Sequence, residues 1–436
     1  VAEADEEAPG GFLADRTTHT NAPRTMLTLS ACGPSGAAGN LVLSWDSSVV
    51  NMYTTPTGGT ALEQFIKPFS GFNGTNLYVE GIAPGSNTLS WAYSGQSDCV
   101  DVIKATVLKV DMTAHRPTTE LFAYGSPFQR TAVPDDKEES PGAGIRVNGD
   151  SESGANENDL IEVQLNVAPF PIPSGLTYVL KRNNSNIKVW DNQAMGTALL
   201  VSDTEAMITI TSSPMSVWVE NSSGGSADLE LIACSETTNV CSDKIHFYPF
   251  SSVVIVLGGE NQGPTDPAAA THGTFQLAID LYDLGYDVHM YDEDVVVDET
   301  DGGIAFAEVQ NAVQNRNVTQ IAILGYSHGG GSAHDLAENL NNNGRTTAFT
   351  AYIDAVAQPD VNPAQENRRP PGTAFLVNYY QENGAFELGG GPVPDANFEL
   401  DVTTTGWGAA LDHYNVDDHQ NVRNGVRDQL FGHVNP

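Results

Sequence analysis

The first 250 residues carry one pattern twice, and this duplication limits the architecture more than any other feature of the chain. Leu41-Val42-Leu43 through Gly59-Thr60-Ala61-Leu62 matches Tyr178-Val179-Leu180 through Gly196-Thr197-Ala198-Leu199 at a shift of 137 residues. Tyr78-Val79-Glu80 matches Trp218-Val219-Glu220, and Ser86 and Leu89 match Ser226 and Leu229, at a shift of 140. Cys99, Asp101 and Ile103 match Cys241, Asp243 and Ile245 at 142. Order is preserved while spacing drifts by a few residues, as small loop insertions between conserved-length elements would cause. The chain therefore begins with two copies of one unit.

Each copy reads as short strands between turns. Leu27-Thr28-Leu29, Leu41-Val42-Leu43, Val50 to Tyr53, Leu77-Tyr78-Val79 and Val107 to Val110 are β-rich runs bounded by Gly, Pro, Asn and Ser. Ile161 to Leu165 and Ile187 to Trp190 alternate apolar and polar residues, the period of a half-buried strand. Neither copy has a sustained helical period. The pattern resembles the tandem immunoglobulin-like β-sandwiches of secreted bacterial surface proteins and predicts sandwiches at 26–112 and 158–250. An acidic segment, 1–25, precedes them, and an acidic linker, 113–157, separates them.

Charge bounds the partners. With 55 acidic against 19 basic residues the chain carries −36, and no lysine follows Lys244. Such a surface repels nucleic acid and anionic membranes and stays soluble where salt screens its self-repulsion. No run approaches the ~20 apolar residues of a membrane span, and the start at Val1 fits removal of a signal peptide. In the linker, Asn148, Asp150, Glu152, Asn156 and Asp159 set oxygen ligands beside glycines, a candidate calcium loop that departs from EF-hand spacing. The cysteines, Cys32, Cys99, Cys234 and Cys241, all precede residue 251. Their even number and the short spacing of Cys234 and Cys241 suggest disulfides and an oxidising, extracellular compartment.

After Phe250 the period changes. Val253-Val254-Ile255-Val256-Leu257 is a continuous apolar run, expected of a strand buried on both faces. Helical patterns at Phe275–Leu281, Ile304–Val313, Gly330–Leu340 and around Val422, Val426 and Leu430 alternate with strand patterns at Tyr286–Tyr291, Ile321–Leu324, Phe349–Ile353 and Ala374–Val377. This alternation predicts a mostly parallel sheet covered by helices.

Gly325-Tyr326-Ser327-His328-Gly329 follows the third of these strands and opens a helix. A G-x-S-x-G in that setting turns sharply enough to project a serine hydroxyl above the sheet edge. With Ile323, Leu324 and Gly330 around it, this segment resembles the lipase and esterase members of the α/β-hydrolase superfamily over residues 251–436. The resemblance implies a nucleophile, an acid and a histidine in that chain order. Ser327 matches the nucleophile. The acid is Asp354, at the end of the next strand, or Glu382, one strand later. The histidine is His413, ahead of a final helix whose N-cap is expected at Asp417 or Asp418; His419, His433, His328 and His334 are less well placed. Oxyanion donors are expected from the amide of His328 and from Gly259 or Glu260. No cofactor is needed for such chemistry, and calcium would be structural only.

The fold class predicted is thus two all-β immunoglobulin-like sandwiches followed by an α/β-hydrolase domain. The function expected is a secreted carboxylester hydrolase held at a surface by its sandwiches, acting on an ester that is large or polymeric. The competing reading is a structural or adhesive surface or filament protein whose hydrolase-like domain has little activity, with cell-surface or self-assembly contacts through sandwich edges. A third takes the sandwiches as carbohydrate-binding modules, although no aromatic cluster marks them.

Overall fold

The computed structural model describes residues 11–14, 24–30, 39–70, 72–94, 100–115, 145–146, 160–221, 225–235, 238–263, 271–293, 303–357, 367–383, 389–407 and 411–436. The calcium-loop candidates Asn148, Asp150, Glu152, Asn156 and Asp159, and the cysteines Cys32 and Cys99, lie outside them.

The duplication holds in both sheets, with one strand, Ala198–Leu200, added in the second copy among the described residues. In the first copy, strands Phe65–Pro68, Asn40–Ser44, Gly85–Tyr93 and Val100–His115 form one antiparallel sheet in that order. In the second, Glu205–Ile208, Leu176–Arg182, Ala227–Ser235 and Thr238–Tyr248 repeat it. Each sheet ends in a short parallel strand, Gly11–Ala14 in the first copy and Ile145–Arg146 in the second. The facing sheets are Thr25–Leu29, Thr75–Gly81 and Val50–Tyr53 in the first, and Ile161–Ala168, Met215–Asn221, Ile187–Trp190 and Ala198–Leu200 in the second. Both units are immunoglobulin-like two-sheet sandwiches. Their strands alternate burial, as Ile161–Ala168 shows residue by residue, because one face lines the core and the other meets solvent.

The 16-residue strand Val100–His115 belongs to both copies. Its first part pairs with Gly85–Tyr93; its second, from Lys109, pairs antiparallel with Ile161–Ala168. One continuous nine-stranded sheet results. Ala105 and Val107 enter the first core, while Leu108, Val110, Met112 and Ala114 enter the second. The boundary expected at 112 is therefore not a boundary, and Gly11–Ala14 is a strand rather than part of a detached acidic segment. A four-residue strand is too short for a period to register in sequence.

The expected bridge between Cys234 and Cys241 is absent. Cys241 stands opposite Ala233, and a bulge pairs Cys234 with Asn239. Adjacent positions on a strand face opposite sides of a sheet, so Cys241 is buried and Cys234 is turned outward onto Asn239 Oδ1 at 3.4 Å.

The C-terminal region is built differently. Strands β1 (Ser252–Leu257), β2 (Asp287–Tyr291), β3 (Gln320–Tyr326), β4 (Thr347–Ile353), β5 (Thr373–Tyr380) and β6 (Phe398–Asp401) form a sheet in the order 2-1-3-4-5-6, every pair parallel. Helices α1 (Gly273–Asp283) and α4 (Gln420–Phe431) cover one face, and α2 (Gly303–Asn315) and α3 (His328–Asn342) the other. All six residues of β1 are buried, Val254 and Val256 towards one helix pair and Val253, Ile255 and Leu257 towards the other. The chain winds outward from β1 in both directions, so the strand order switches between the C-terminal ends of β1 and β3, the place where open sheets of this kind bind ligands.

Among the described residues, 44% are strand and 18% helix, and the antiparallel sandwiches hold most of the strands. The fold class is mostly β. This corrects the expected class, in which an α/β-hydrolase domain closed the chain; what the C-terminal region contains is one parallel sheet with two helices on each face.

Candidate functional site

Ser327, His413 and Asp354 come together at the C-terminal ends of β3 and β4, beside the switch of strand order. Ser327 occupies the turn between β3 and α3 with φ 52° and ψ −126°, a conformation that costs an L-residue about 1–3 kcal/mol. Neighbouring backbone enforces it. The Ser327 amide donates to Ile353 O at 3.1 Å, and its carbonyl accepts from Val356 N at 2.8 Å and Gly330 N at 2.9 Å. The glycines are steric requirements: a Cβ on Gly325 would meet the carbonyl of Gly329, and one on Gly329 would meet the backbone of Leu257 and Gly258. Sheet and helix cross at the serine with no room for side chains.

Ser327 Oγ lies 2.8 Å from His413 Nε2, and His413 Nδ1 lies 2.7 Å from Asp354 Oδ2. Both spacings suit hydrogen bonds, with the tautomer set by the carboxylate side. Asp354 also has positive φ, 47°, at the end of β4, and is fully buried. The ring of Tyr326 stacks on His413, and its hydroxyl donates to the His413 carbonyl. Burial, reinforced by the charges of Asp417 and Asp354, holds the Tyr326 hydroxyl protonated well above its usual range.

The other expected residues fall as follows. Glu382 is exposed beyond β5, while its neighbour Gln381 faces Asp354. Gly259 lies against the nucleophile, a Cβ there coming 3.0 Å from Ser327 Cβ, and its amide reaches Gln262 Oε1 at 3.4 Å. Glu260 is exposed, its carboxylate 3.8 Å from His328 Nδ1. The His328 amide is in the first turn of α3, where helix N–H groups lack internal acceptors and the dipole end is positive. His419 caps α4, accepting from Asn421 N, and stacks on Trp407; His433 stacks on Phe375.

Asp417 and Asp418 do not cap α4. They cap α1: Asp418 Oδ1 accepts from Gly273 N at 2.7 Å, and Asp417 Oδ2 from Thr274 N at 3.2 Å and Thr274 Oγ1 at 3.1 Å. The loop carrying His413 is thereby tied to a helix far away in sequence, which local spacing could not reveal. Burial, with the charge of Asp418 added, raises the Asp417 carboxyl to about 6.

Among the described residues, two side-chain groups have the spacing to hold a metal: Asp287, His289 and Glu308, and His334, Asp335 and Glu338. The first already contains a cation, since Arg316 Nη2 lies 3.2 Å from Asp287 Oδ2 and also contacts Glu308. Arg316 thus offsets one of the two carboxylate charges of this buried group without a metal. The second sits on one face of α3, with Glu338 exposed.

No family model matches this chain. No curated protein matches it either. Similar solved structures are domains 5–6 of the S-layer protein SbsC, at 11% identity, covering 56% of this chain and 95% of that one with a TM-score of 0.15. A C-terminal 282-residue fragment of intimin, solved with the intimin-binding domain of its translocated receptor, is 9% identical, covers 55% of this chain and 61% of its own, and scores 0.26. The C-terminal domain of the Streptococcus pyogenes antigen I/II-family protein AspA is 10% identical, covers 55% and 94%, and scores 0.21. These are sandwich domains of surface proteins, and no α/β-hydrolase is among them. The resemblance to the α/β-hydrolase superfamily is corrected accordingly, and so is the expectation of a secreted esterase or lipase.

Proposed function

We propose that this chain is an extracellular surface protein of the structural or adhesive kind. The observation that carries the reading is the strand Val100–His115, which fuses two sandwich copies into one continuous sheet. A single strand shared by two cores leaves no flexible joint between them, and this suits a spacer or a contact surface better than a regulatory or nucleic-acid-binding role. The charge of −36 agrees with a solvated exterior location. Among the described residues no helix is long and apolar enough to cross a membrane. Brief protease treatment of intact source cells tests the reading. Loss of the chain from the cells, with a cytosolic marker retained, is expected; a chain that survives shaving and fractionates with the cytosol overturns it.

One specific observation favours a second reading, for the C-terminal region alone: the line Ser327–His413–Asp354 at 2.8 and 2.7 Å. Its chemistry is acyl transfer. His413 would take the proton of Ser327 as the hydroxyl attacks an acyl carbonyl, and Asp354 would hold the imidazole and balance its charge. The His328 amide at the start of α3 would face the developing oxyanion. No metal enters this step. A fluorophosphonate probe, which phosphonylates an activated serine hydroxyl with loss of fluoride, reports on it directly. Stoichiometric labelling confined to Ser327 is the expected result; an unlabelled, folded protein would remove this reading and leave the first intact.

A further inference from the structure

We propose that Gln381 and Asn383 form a positioning bracket that fixes Asp354 and the His413 loop in one frame; this rests on the reading of Ser327 as a nucleophile. The carboxylate of Asp354 accepts four hydrogen bonds. Oδ1 takes the backbone amides of Gln381, at 3.2 Å, and Gly390, at 2.7 Å. Oδ2 takes the Gln381 side-chain amide at 3.1 Å and His413 Nδ1 at 2.7 Å. A carboxylate held by one imidazole alone can rotate about its terminal torsion, whereas donors on both oxygens fix its plane.

Gln381 is itself held. Its Oε1 accepts from Asn383 N at 2.7 Å, which turns its NH2 towards Asp354. The Asn383 side chain then donates to Leu411 O at 3.1 Å, two residues before His413. The bonds close a ring: Asp354 to Gln381, Gln381 to Asn383, Asn383 to the Leu411 loop, and His413 back to Asp354. Gln381 is 2% exposed, so its side chain serves this ring and no surface. The space around it is matched to an amide, since a Cβ on Gly389 would run into Gln381 Nε2. An acid at this position would set a second carboxylate against Asp354. The next residue, Glu382, points outward.

Neither residue touches Ser327 in this arrangement; each acts through Asp354 or through the loop of His413. A triad must be held to within about 0.5 Å to work, and the bracket supplies that constraint from a third chain segment.

The test uses the full chain with Gln381→Met, Asn383→Ala and the double variant. Two readouts are taken: the rate constant of fluorophosphonate labelling at Ser327, and the low-field proton resonance of His413 Nδ1–H in protein carrying 15N-histidine. Each single change is expected to slow labelling about tenfold and to shift or broaden the resonance, because Gln381→Met removes a charge-assisted bond to Asp354 and Asn383→Ala removes the side-chain bond that ties the His413 loop at Leu411 O. The double variant should be no slower than the slower single variant by more than about twofold, since both act on one ring. Rates within about twofold of wild type with an unmoved resonance overturn the bracket, as do losses that multiply. Should the wild type go unlabelled while the resonance still moves in both variants, the bracket stands and the nucleophile reading falls. Asn383→Ala leaves every bond to Asp354 in place, so it remains informative if Gln381→Met does not fold.

Discussion

The sandwiches and the C-terminal sheet bury their strands in opposite ways. Ile161–Ala168 alternates buried and half-buried positions, whereas Ser252–Leu257 is buried at every residue. A sandwich strand has one face free, so half its residues can change at small cost and its sequence can drift while the fold is kept. The two copies have done so: among the described residues their strand order is the same apart from Ala198–Leu200, which the second copy adds, yet only scattered residues still match. A strand between two helix layers has no free face, and its tolerance is correspondingly small. Positive backbone φ at non-glycine residues occurs in a sandwich turn as well, at Met195 with 55°, but the C-terminal sheet sets two such residues side by side. Ser327 and Asp354, at the ends of adjacent strands β3 and β4, both have positive φ, at 52° and 47°. A rigid, doubly covered sheet can hold such residues in place.

The sharpest way to break this comparison is at the strained pair. Asp354→Asn is expected to slow fluorophosphonate labelling by about 10³–10⁴-fold, because the amide favours the wrong imidazole tautomer. Melting of the sandwiches should be unchanged. If the variant labels at the wild-type rate, the strain at residue 354 has no part in the chemistry and is a structural accident of the strand end.

Next in size is a cavity in the shared strand. Leu108 is fully buried at the point where Val100–His115 passes from one sandwich partner to the other. Leu108→Ala should cost about 2–5 kcal/mol. Both sandwiches should lose hydrogen-exchange protection together, while β1 to β6 keep theirs. Protection lost in one copy only would show that the common strand joins two independent units.

The smallest expected effect concerns Asp417, whose carboxyl is raised from 3.8 to about 6 by burial and by Asp418. A raised acid destabilises the folded state when charged. Its penalty is absent below about pH 4, grows as pH climbs, and is complete above about 6. At about 1.4 kcal/mol per unit this amounts to roughly 2–3 kcal/mol. Asp417→Asn keeps an oxygen for Thr274 and removes the charge. The variant should therefore gain stability relative to wild type between pH 4 and pH 7, by about that amount. A stability difference equal at both pH values would mean that Asp417 does not titrate in this range.

What was legible in the sequence follows the same physical division. The alternation of Ile161–Leu165 and the continuous run Val253–Leu257 announced their sheets, because burial period is a local property. The duplication announced the tandem sandwiches. The spacing of Gly325 to Gly329 marked Ser327, since an elbow so crowded requires glycine in fixed places. The rest depended on contacts between distant segments. Asp417 and Asp418 stand just ahead of α4 but cap α1. Gln381 lies beside the more conspicuous Glu382 and carries no motif. Cys234 and Cys241 are close in sequence, yet a bulge sets them on opposite faces. The reach of Val100–His115 into the second sandwich was hidden because Asp111 to His115 reads equally as a strand end or a linker. The family resemblance drawn from the elbow segment went further than the comparisons bear.

The shared strand has a mechanical consequence. A pull applied between the two sandwiches acts along a backbone of about 50 Å that is bonded sideways in both. Extension would have to shear several ladder hydrogen bonds at once, whereas a linker between separate domains would simply straighten. The same continuity means that one copy cannot be cut out, exchanged or added without supplying or removing an edge of its neighbour. Val100–His115 is at once the tether and the seam of the pair, so the length and tensile strength of this part of the molecule are set together by a single segment of chain.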